Sequence, residues 1–324
     1  ECSTLVGIKG LKEFGLINLP LLFNNSREAD AILDGQFGES LIAKLPAAGL
    51  VGLGYWENGF RHVTNSRRAV TRMEDISGLK IRVIQNPLFV DIFKTLGANA
   101  VPMPWPEVYP GLDSKAIDGQ ENSIPTLLSS KLYEVQGHAA LTSHVYSSWM
   151  LLMSKKTWDS LSAQEQKIVQ EAAREATLYE RKTIRAFNEK ALGELKKLGL
   201  QVTELPAAEQ AKLRTKLQPV LAKYAKEFGE DTTGELQAEL AKVDPAVNAL
   251  EILLRIWGHC ETSRHGGVWP GADAEYVETV CRWFGEPGKL AAALTKPLGK
   301  LTPFVVLNGE GATISGWDVH NAGL

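Results

Sequence analysis

Cysteine is scarce: the 324 residues hold three, Cys2, Cys260 and Cys281. Residues 1–243 contain only Cys2, which excludes a disulfide within that stretch, and the three do not stand at metal-ligand spacing. Cys260 and Cys281 could pair, or could remain buried free thiols. No apolar run reaches the roughly 18–20 residues that a membrane-spanning helix needs. The chain opens Glu1-Cys2-Ser3 with no basic and apolar leader, so it reads as processed at its N-terminus or as a fragment. Neither sign of charge dominates. Lys and Arg number 35 against 38 Asp and Glu, a net charge of -3, which argues against a nucleic-acid binder or a polybasic membrane-surface protein. Catalytic signatures are missing too. There is no G-x-S-x-G elbow and no Walker loop, and Gly49, Gly52 and Gly54 do not complete G-x-G-x-x-G. His62, His138 and His144 lack metal-ligand spacing, and no nucleophile–base pair stands out. The expectation is a protein that is not an enzyme and holds no cofactor or metal.

Short apolar runs alternate with helical patterns. Ser26 to Leu45 reads as a helix on the apolar positions Ala29, Ile32, Leu33, Phe37, Leu41 and Leu45. Gly49 to Tyr55 reads as a buried strand, and Tyr55 to Phe60 as a turn rich in aromatics. Leu79–Val83, Ala98–Met103 and Ala116–Gln120 read as strands separated by helices at Leu88–Leu96, capped by Gly97, and Val108–Lys115. Such alternation predicts an α/β fold with a largely parallel sheet. Tyr146–Met153 is a further strand. Ser162-Ala163-Gln164-Glu165 is a capping box, and the apolar pattern after it runs to Gly199, a helix long enough to span more than one lobe. Leu200–Thr203 is a short strand, and Ala207–Gly229 one or two helices.

The residue that carries most information is Arg82. Covered parallel strands are near-continuous apolar runs, yet Leu79-Lys80-Ile81-Arg82-Val83 places a guanidinium near the carboxyl end of one, where open α/β sheets bind ligands. A planar fork matches a carboxylate bidentately. The alternatives are an arginine paired with an internal acid or exposed at a strand end. Arg61 follows the aromatic turn and fits a surface role as readily. Asn122 ends the run Asp118-Gly119-Gln120-Glu121-Asn122, either to orient a polar ligand or as a turn former. Trp105, held between Pro104 and Pro106, is a rigid flat wall or a packing residue.

Several segments occur in the order of a known family: Phe14 to Phe23, Gly54-Tyr55-Trp56-Glu57-Asn58-Gly59-Phe60-Arg61, Gly78-Leu79-Lys80-Ile81-Arg82-Val83, Asp118 to Asn122, Lys131-Leu132-Tyr133-Glu134-Val135-Gln136, and the capped helix after Trp158. Over residues 5–243 the chain resembles the dicarboxylate-type solute receptors of tripartite ATP-independent periplasmic (TRAP) transporters. The resemblance implies a two-lobed periplasmic-binding-protein-like fold that closes on a ligand, braced by the long helix. It implies that Arg82 clamps a substrate carboxylate, that Arg61 assists, that Asn122 hydrogen-bonds the ligand and that Trp105 forms a wall, with His144 and Tyr146 near the second rim. It further implies a periplasmic monomer that captures a C4-dicarboxylate-like acid and hands it to membrane permease subunits. Against the family pattern, the first βαβ elements of the first lobe are absent ahead of Glu1, so the chain as it stands is expected to bind its solute weakly or not at all.

Character changes near Asp244-Pro245, and a boundary is expected there, with residues 1–243 as the solute-binding domain and 244–324 as a small module. Helical patterns followed by Asn308-Gly309-Glu310-Gly311, a hairpin signal, resemble a winged-helix-like module. From Ala246 on there are six Lys or Arg against eight Asp or Glu, so nucleic acid is a poor partner for it. The competing readings are a DNA-binding or interaction protein acting through this module, or an accidental fusion without function.

Overall fold

The computed structural model describes residues 1–240 and 242–243. The winged-helix-like module, its hairpin and the Cys260–Cys281 pairing lie outside the described residues. Glu1–Gln237 is one compact unit, and Ala238 begins a second.

Local chemistry sets the element ends. After α1 (Cys2–Leu5) and a 3-10 turn at Lys12–Asn18, α2 (Ser26–Leu33) starts at Asn25, whose side chain accepts the Glu28 N–H at 2.9 Å. The single helix expected over Ser26–Leu45 is broken at Asp34–Gly35. Gly35 is extended and acts as the N-cap of α3 (Gln36–Ile42), while Asp34 is held by Arg181. The strand β1 (Leu50–Asn65) then runs for 16 residues. The aromatic segment Tyr55–Phe60 is therefore the middle of a strand, not a turn. It pairs with β5 (His138–Ser154) throughout, and the irregularity that suggested a turn is taken up by a bulge at Gly59, whose φ of 102° few other residues adopt.

The expected βαβ alternation holds from β2 (Lys80–Val83) through α4 (Pro87–Thr95), β3 (Asn99–Pro102) and α5 (Val108–Asp113) to β4 (Gly119–Ser123), and β2 lies parallel to both β3 and β4. The sheet as a whole is mixed, which corrects the largely parallel expectation. Its order is β3-β2-β4-β1-β5-β6, with β1 antiparallel to β4 and to β5, and β6 (Gln201–Glu204) parallel to β5. Only Arg61–Asn65 of β1 pair with β4, so β1 reaches well beyond the neighbour on that side.

The α/β layers follow from the apolar faces. Val108, Leu112, Ile124, Leu127, Ala191 and Leu195 form one buried cluster, from α5, α6 (Ile124–Ser129) and the long helix. After α7 (Lys155–Asp159), that helix, α8, spans Ala163–Lys197. The Ser162–Glu165 capping box is present, with the Ser162 N–H donating to Glu165 Oε2 at 2.7 Å. Its buried stripe, Ala173, Thr177, Arg181, Ala191 and Leu195, faces the sheet at four-residue spacing in each half. The Thr177 hydroxyl would lie 2.5 Å from a Cβ at Gly54, which explains a glycine where β1 meets α8. The helix α9 (Ala207–Phe228) is continuous although Pro219 lies inside it, and after Gly229 the chain is helical again over 230–240. Among the described residues no helix is long and apolar enough to cross a membrane.

Gly119 opens β4 against the Thr64 carbonyl, which would stand 2.1 Å from an added Cβ. A Gly119→Ala variant must push β4 off β1. We expect a loss of about 1–3 kcal/mol, the usual cost of overpacking a filled site, read as a lower denaturant midpoint at unchanged slope. An unaltered midpoint would mean that the two strands are not held at this spacing.

Candidate functional site

β4 is buried at all five positions, three of them Gln, Glu and Asn. Such a strand needs internal partners for each polar group. Glu121 takes Arg61 in a fork: Arg61 Nε donates to Oε2 at 2.5 Å and Nη2 to Oε1 at 2.8 Å, while Nη2 also reaches the Glu121 carbonyl at 2.8 Å. His144 Nε2 lies 3.2 Å from the same carboxylate, and its Nδ1 lies 2.8 Å from the Thr142 hydroxyl. Arg61, Glu121 and His144 are all fully buried. Burial by itself would raise the Glu121 pKa, but the Arg61 charge and the bonds from His144 and Arg61 reverse this and bring it down to about 2. Burial likewise opposes the Arg61 cation, and the charges of Glu121 and Glu1 overcome it and raise its pKa.

Arg61 has a second acid. Its Nη1 donates to Glu1 Oε1 at 3.1 Å and to the Ser147 hydroxyl at 3.3 Å, and Ser147 in turn donates to Glu1. Asn58 adjoins this group. Its amide donates to Ser147 at 3.3 Å and to Asn122 Oδ1 at 3.4 Å, and its oxygen accepts from Ser123 at 2.7 Å.

Arg82 has a different environment. It is only 4 % exposed, its Nε donates to the Met103 carbonyl at 2.9 Å, and its Cζ lies 5.6 Å from the centre of the Trp105 ring. Its terminal nitrogens have no hydrogen-bond acceptor among the described residues, and no described acid forms an ion pair with it. Burial lowers its pKa, with the charges of Glu121, Arg61 and Glu1 acting in opposite directions. Of the readings left open by the sequence, pairing with an internal acid is therefore absent among the described residues, and so is simple exposure.

The six residues singled out from the sequence thus separate. Arg82 and Trp105 stand together, Trp105 being 40 % exposed and able to present a flat face. Asn122 is buried, with its Oδ1 taken by Asn58 and by the Ser123 N–H. Arg61 and His144 are committed to Glu121. Tyr146 donates to Glu57 Oε2 at 3.3 Å and packs edge-on to Phe23 and Phe60, in a cluster with Arg185 and Asp30. Among the network residues not singled out are Glu1, Asn58, Glu121 and Ser147. Glu121 stood beside a chosen position, Asn122, just past the expected end of the strand at Gln120. The other three carry no sequence signal. Among the described residues no group of His, Cys, Asp and Glu could hold a metal ion.

A model of the bacterial extracellular solute-binding protein family 7, DctP, matches residues 3–227. The chain belongs to this family. Its members are solute receptors of TRAP transporters that act outside the cytoplasm, and they are not enzymes. The 2,3-diketo-L-gulonate-binding periplasmic protein YiaO of Escherichia coli strain K12 is 41% identical over 187 residues, 58% of this chain and 57% of that protein. The C4-dicarboxylate-binding periplasmic protein DctP of Rhodobacter capsulatus is 31% identical over 237 residues, 73% of this chain and 71% of that one. Among solved structures, the sugar acid binding protein DctPAm of Advenella mimigardefordensis, in complex with galactonate, superposes with a TM-score of 0.73 at 41% identity, covering 75% of this chain and 78% of that chain. The likeness supports the two-lobed periplasmic-binding-protein architecture for this DctP-family receptor.

Breaking the Arg61–Glu121 pair leaves a buried charge without a partner. Glu121→Gln is expected to cost about 3–5 kcal/mol in urea unfolding at neutral pH. The pH dependence has a fixed sign. Because the folded pKa of Glu121 lies at about 2, below the ordinary 4.5, its contribution is complete above pH 4.5 and is lost as pH falls from there towards 2. Urea midpoints measured down this range should therefore fall more steeply for the parent than for Glu121→Gln. Parallel curves would show that the carboxylate is not preferentially ionised in the folded state.

Proposed function

We propose that the receptor captures a small organic acid carrying one carboxylate and several hydroxyl groups, a member of the sugar-acid class, and delivers it to the membrane permease subunits of a TRAP transporter. The observation that carries this reading is the uncompensated Arg82. A buried guanidinium with free terminal N–H groups demands an anion, and a carboxylate answers it with two parallel charge-assisted bonds. Trp105 flanks the same guanidinium and offers an apolar face to the carbon skeleton.

The charge count favours one carboxylate over two. Arg61 is already opposed by Glu121 and Glu1. A C4-dicarboxylate, the guest expected from the sequence, would bring its second carboxylate towards this acid-lined side. At contact distance and an effective dielectric near 20, like charges cost on the order of 4 kcal/mol. Hydroxyl groups meet no such penalty, and the Glu1 carboxylate accepts hydrogen bonds from them. Names of relatives fall on both sides: galactonate, 2,3-diketo-L-gulonate and D-erythronate are monocarboxylates with hydroxyl or keto groups, whereas DctP of Rhodobacter capsulatus is named for C4-dicarboxylates. Arg61, Asn122, His144 and Tyr146 act in this reading by fixing the strands around the guest.

Titration calorimetry of the full-length protein with galactonate and with succinate tests the reading. Galactonate is expected to bind at least about tenfold more tightly, a difference of about 1.4 kcal/mol. Arg82→Lys, which keeps the charge and loses the fork, should weaken galactonate by about 2 kcal/mol or more. Tighter binding of succinate would reject the one-carboxylate assignment, and undiminished binding to Arg82→Lys would reject the site.

A further inference from the structure

The described residues line an open cavity of about 410 Å³ apart from Arg82 and Trp105, neither of which lines it. One wall is the stretch of β1 from Glu57 to His62, and the facing wall is α8 at Ile184–Glu189. Ser143 of β5 closes one side. It lies in a bulge where Arg61 pairs with Val145 but Val63 already pairs with Ala140, and its φ of 45° is unusual for a residue with a side chain.

His62 is the informative group. It is 7 % exposed, and its Nδ1 accepts the Ser143 N–H at 3.2 Å. That bond fixes the tautomer, because a nitrogen that accepts carries no proton, so Nε2 carries the N–H. Burial, with the neighbouring His144 and Arg61, lowers the pKa of His62 to about 3 and keeps the ring neutral. Among the described residues its Nε2–H has no acceptor. The Nε2–H is open to the cavity rather than sealed in the core, so an oxygen of a guest or a water can receive it. Asn188, at the mouth, likewise makes no hydrogen bond to a described residue.

The other lining groups narrow the guest. Phe60, Pro125 and Ile184 supply apolar surface among the polar groups. The charged wall is internally matched: Arg185 donates to Glu57 at 2.7 Å and to Asp30 at 2.7 Å. Glu189 at the mouth has no ion-pair partner among the described residues, so an anion is disfavoured. A neutral ring with hydroxyls at its edge and C–H groups on its face satisfies both walls. The volume lies in the range of small-molecule sites, which runs from about 300 to 1,000 Å³.

We propose that this cavity is a second binding site, for a neutral polyhydroxylated molecule of monosaccharide size that accepts a hydrogen bond from His62 and is held at the mouth by Asn188. Neither Arg82 nor Trp105 lines it, although Asn58 borders both it and the Arg61 network, and it stands whether or not the acid assignment is right.

D-galactose is a suitable probe, followed by NMR of the His62 ring in the full-length protein. A saturable shift is expected at concentrations up to about 50 mM, which corresponds to weak but specific binding. The same shift should persist in Arg82→Ala. Asn188→Leu, an exposed change that leaves the fold and acid binding alone, should weaken galactose about tenfold, the equivalent of one lost hydrogen bond. Ile184→Trp, which fills the cavity, should abolish the shift. Absence of a saturable shift would show that the cavity holds only water. Loss of the shift in Arg82→Ala would put the sugar in the acid site, and an undiminished shift in both Asn188→Leu and Ile184→Trp would put it elsewhere. Each of these three results overturns the proposal.

Discussion

The Arg61–Glu121 pair is the constraint around which the site is organised. It joins the two central strands β1 and β4 by a two-pronged bond with both ions fully buried. Burying two charges carries a desolvation cost that only good geometry and further hydrogen bonds offset. Here the further bonds come from His144, Ser147 and Glu1, so the network is closed on nearly every side. Its consequence for function lies in what it removes. Glu121 is the acid of β4 closest in sequence to Asn122, and it is wholly spent on Arg61. Arg82, on the neighbouring strand, is left without a counter-ion. In the proposed reading, that unmatched charge is what an acidic guest would answer.

The frame around this network is a pair of long antiparallel strands. β1 and β5 pair along nearly all their length, yet the pairing slips at three places: Gly52–Gly54, Glu57–Gly59 and Arg61–Val63. Each slip adds local twist and lets a strand bend without losing its partner. Two of the three involve glycine, and the third is absorbed on the opposite strand by Ser143. α8 lies against the same strands and is tied to them by polar bonds. Arg181 donates twice to the Tyr55 carbonyl, at 3.0 and 2.7 Å, and the Trp56 indole donates to Thr177 at 3.2 Å. In a two-lobed receptor that closes by a hinge, bends of this kind in strands shared by both lobes are where φ and ψ changes can be taken up, while a long helix limits their direction.

Elements with a strong local signal were legible in the sequence. The Ser162–Glu165 box and a 35-residue apolar pattern locate α8, and Gly97 ends α4 where the sequence says it should. The βαβ alternation locates β2, β3 and β4. What was not legible depends on pairing at a distance. Nothing within Tyr55–Arg61 says that it continues a strand, because its glycines and polar residues look like turn chemistry until β5 is placed beside it. The antiparallel sense of β1 is likewise a property of the partner. The burial of Arg82 without an acid was foreshadowed in the sequence, where a charge interrupts an apolar run. Glu1 and Ser147 were not, because each meets Arg61 only in the fold, 60 and 86 residues away along the chain.

Arginine shows most clearly why residue type alone does not assign a role. Four arginines lie near the centre of the molecule, and their fates are decided by the acids within reach. Arg61 meets Glu121 and Glu1. Arg181 meets Asp34 and Asp30, at 2.6 and 3.1 Å, and Arg185 meets Asp30 and Glu57. These three are braces: they fasten strand to strand or helix to strand, and their charge is used up doing so. Arg82 has a carbonyl and an aromatic face but no acid among the described residues. All four are stiff, planar donors of the same strength. The difference is that three have an anion supplied by the fold and one does not. A protein that buries a cation and withholds its partner destabilises its empty state relative to its occupied one, and that difference is available as affinity for whatever anion fits.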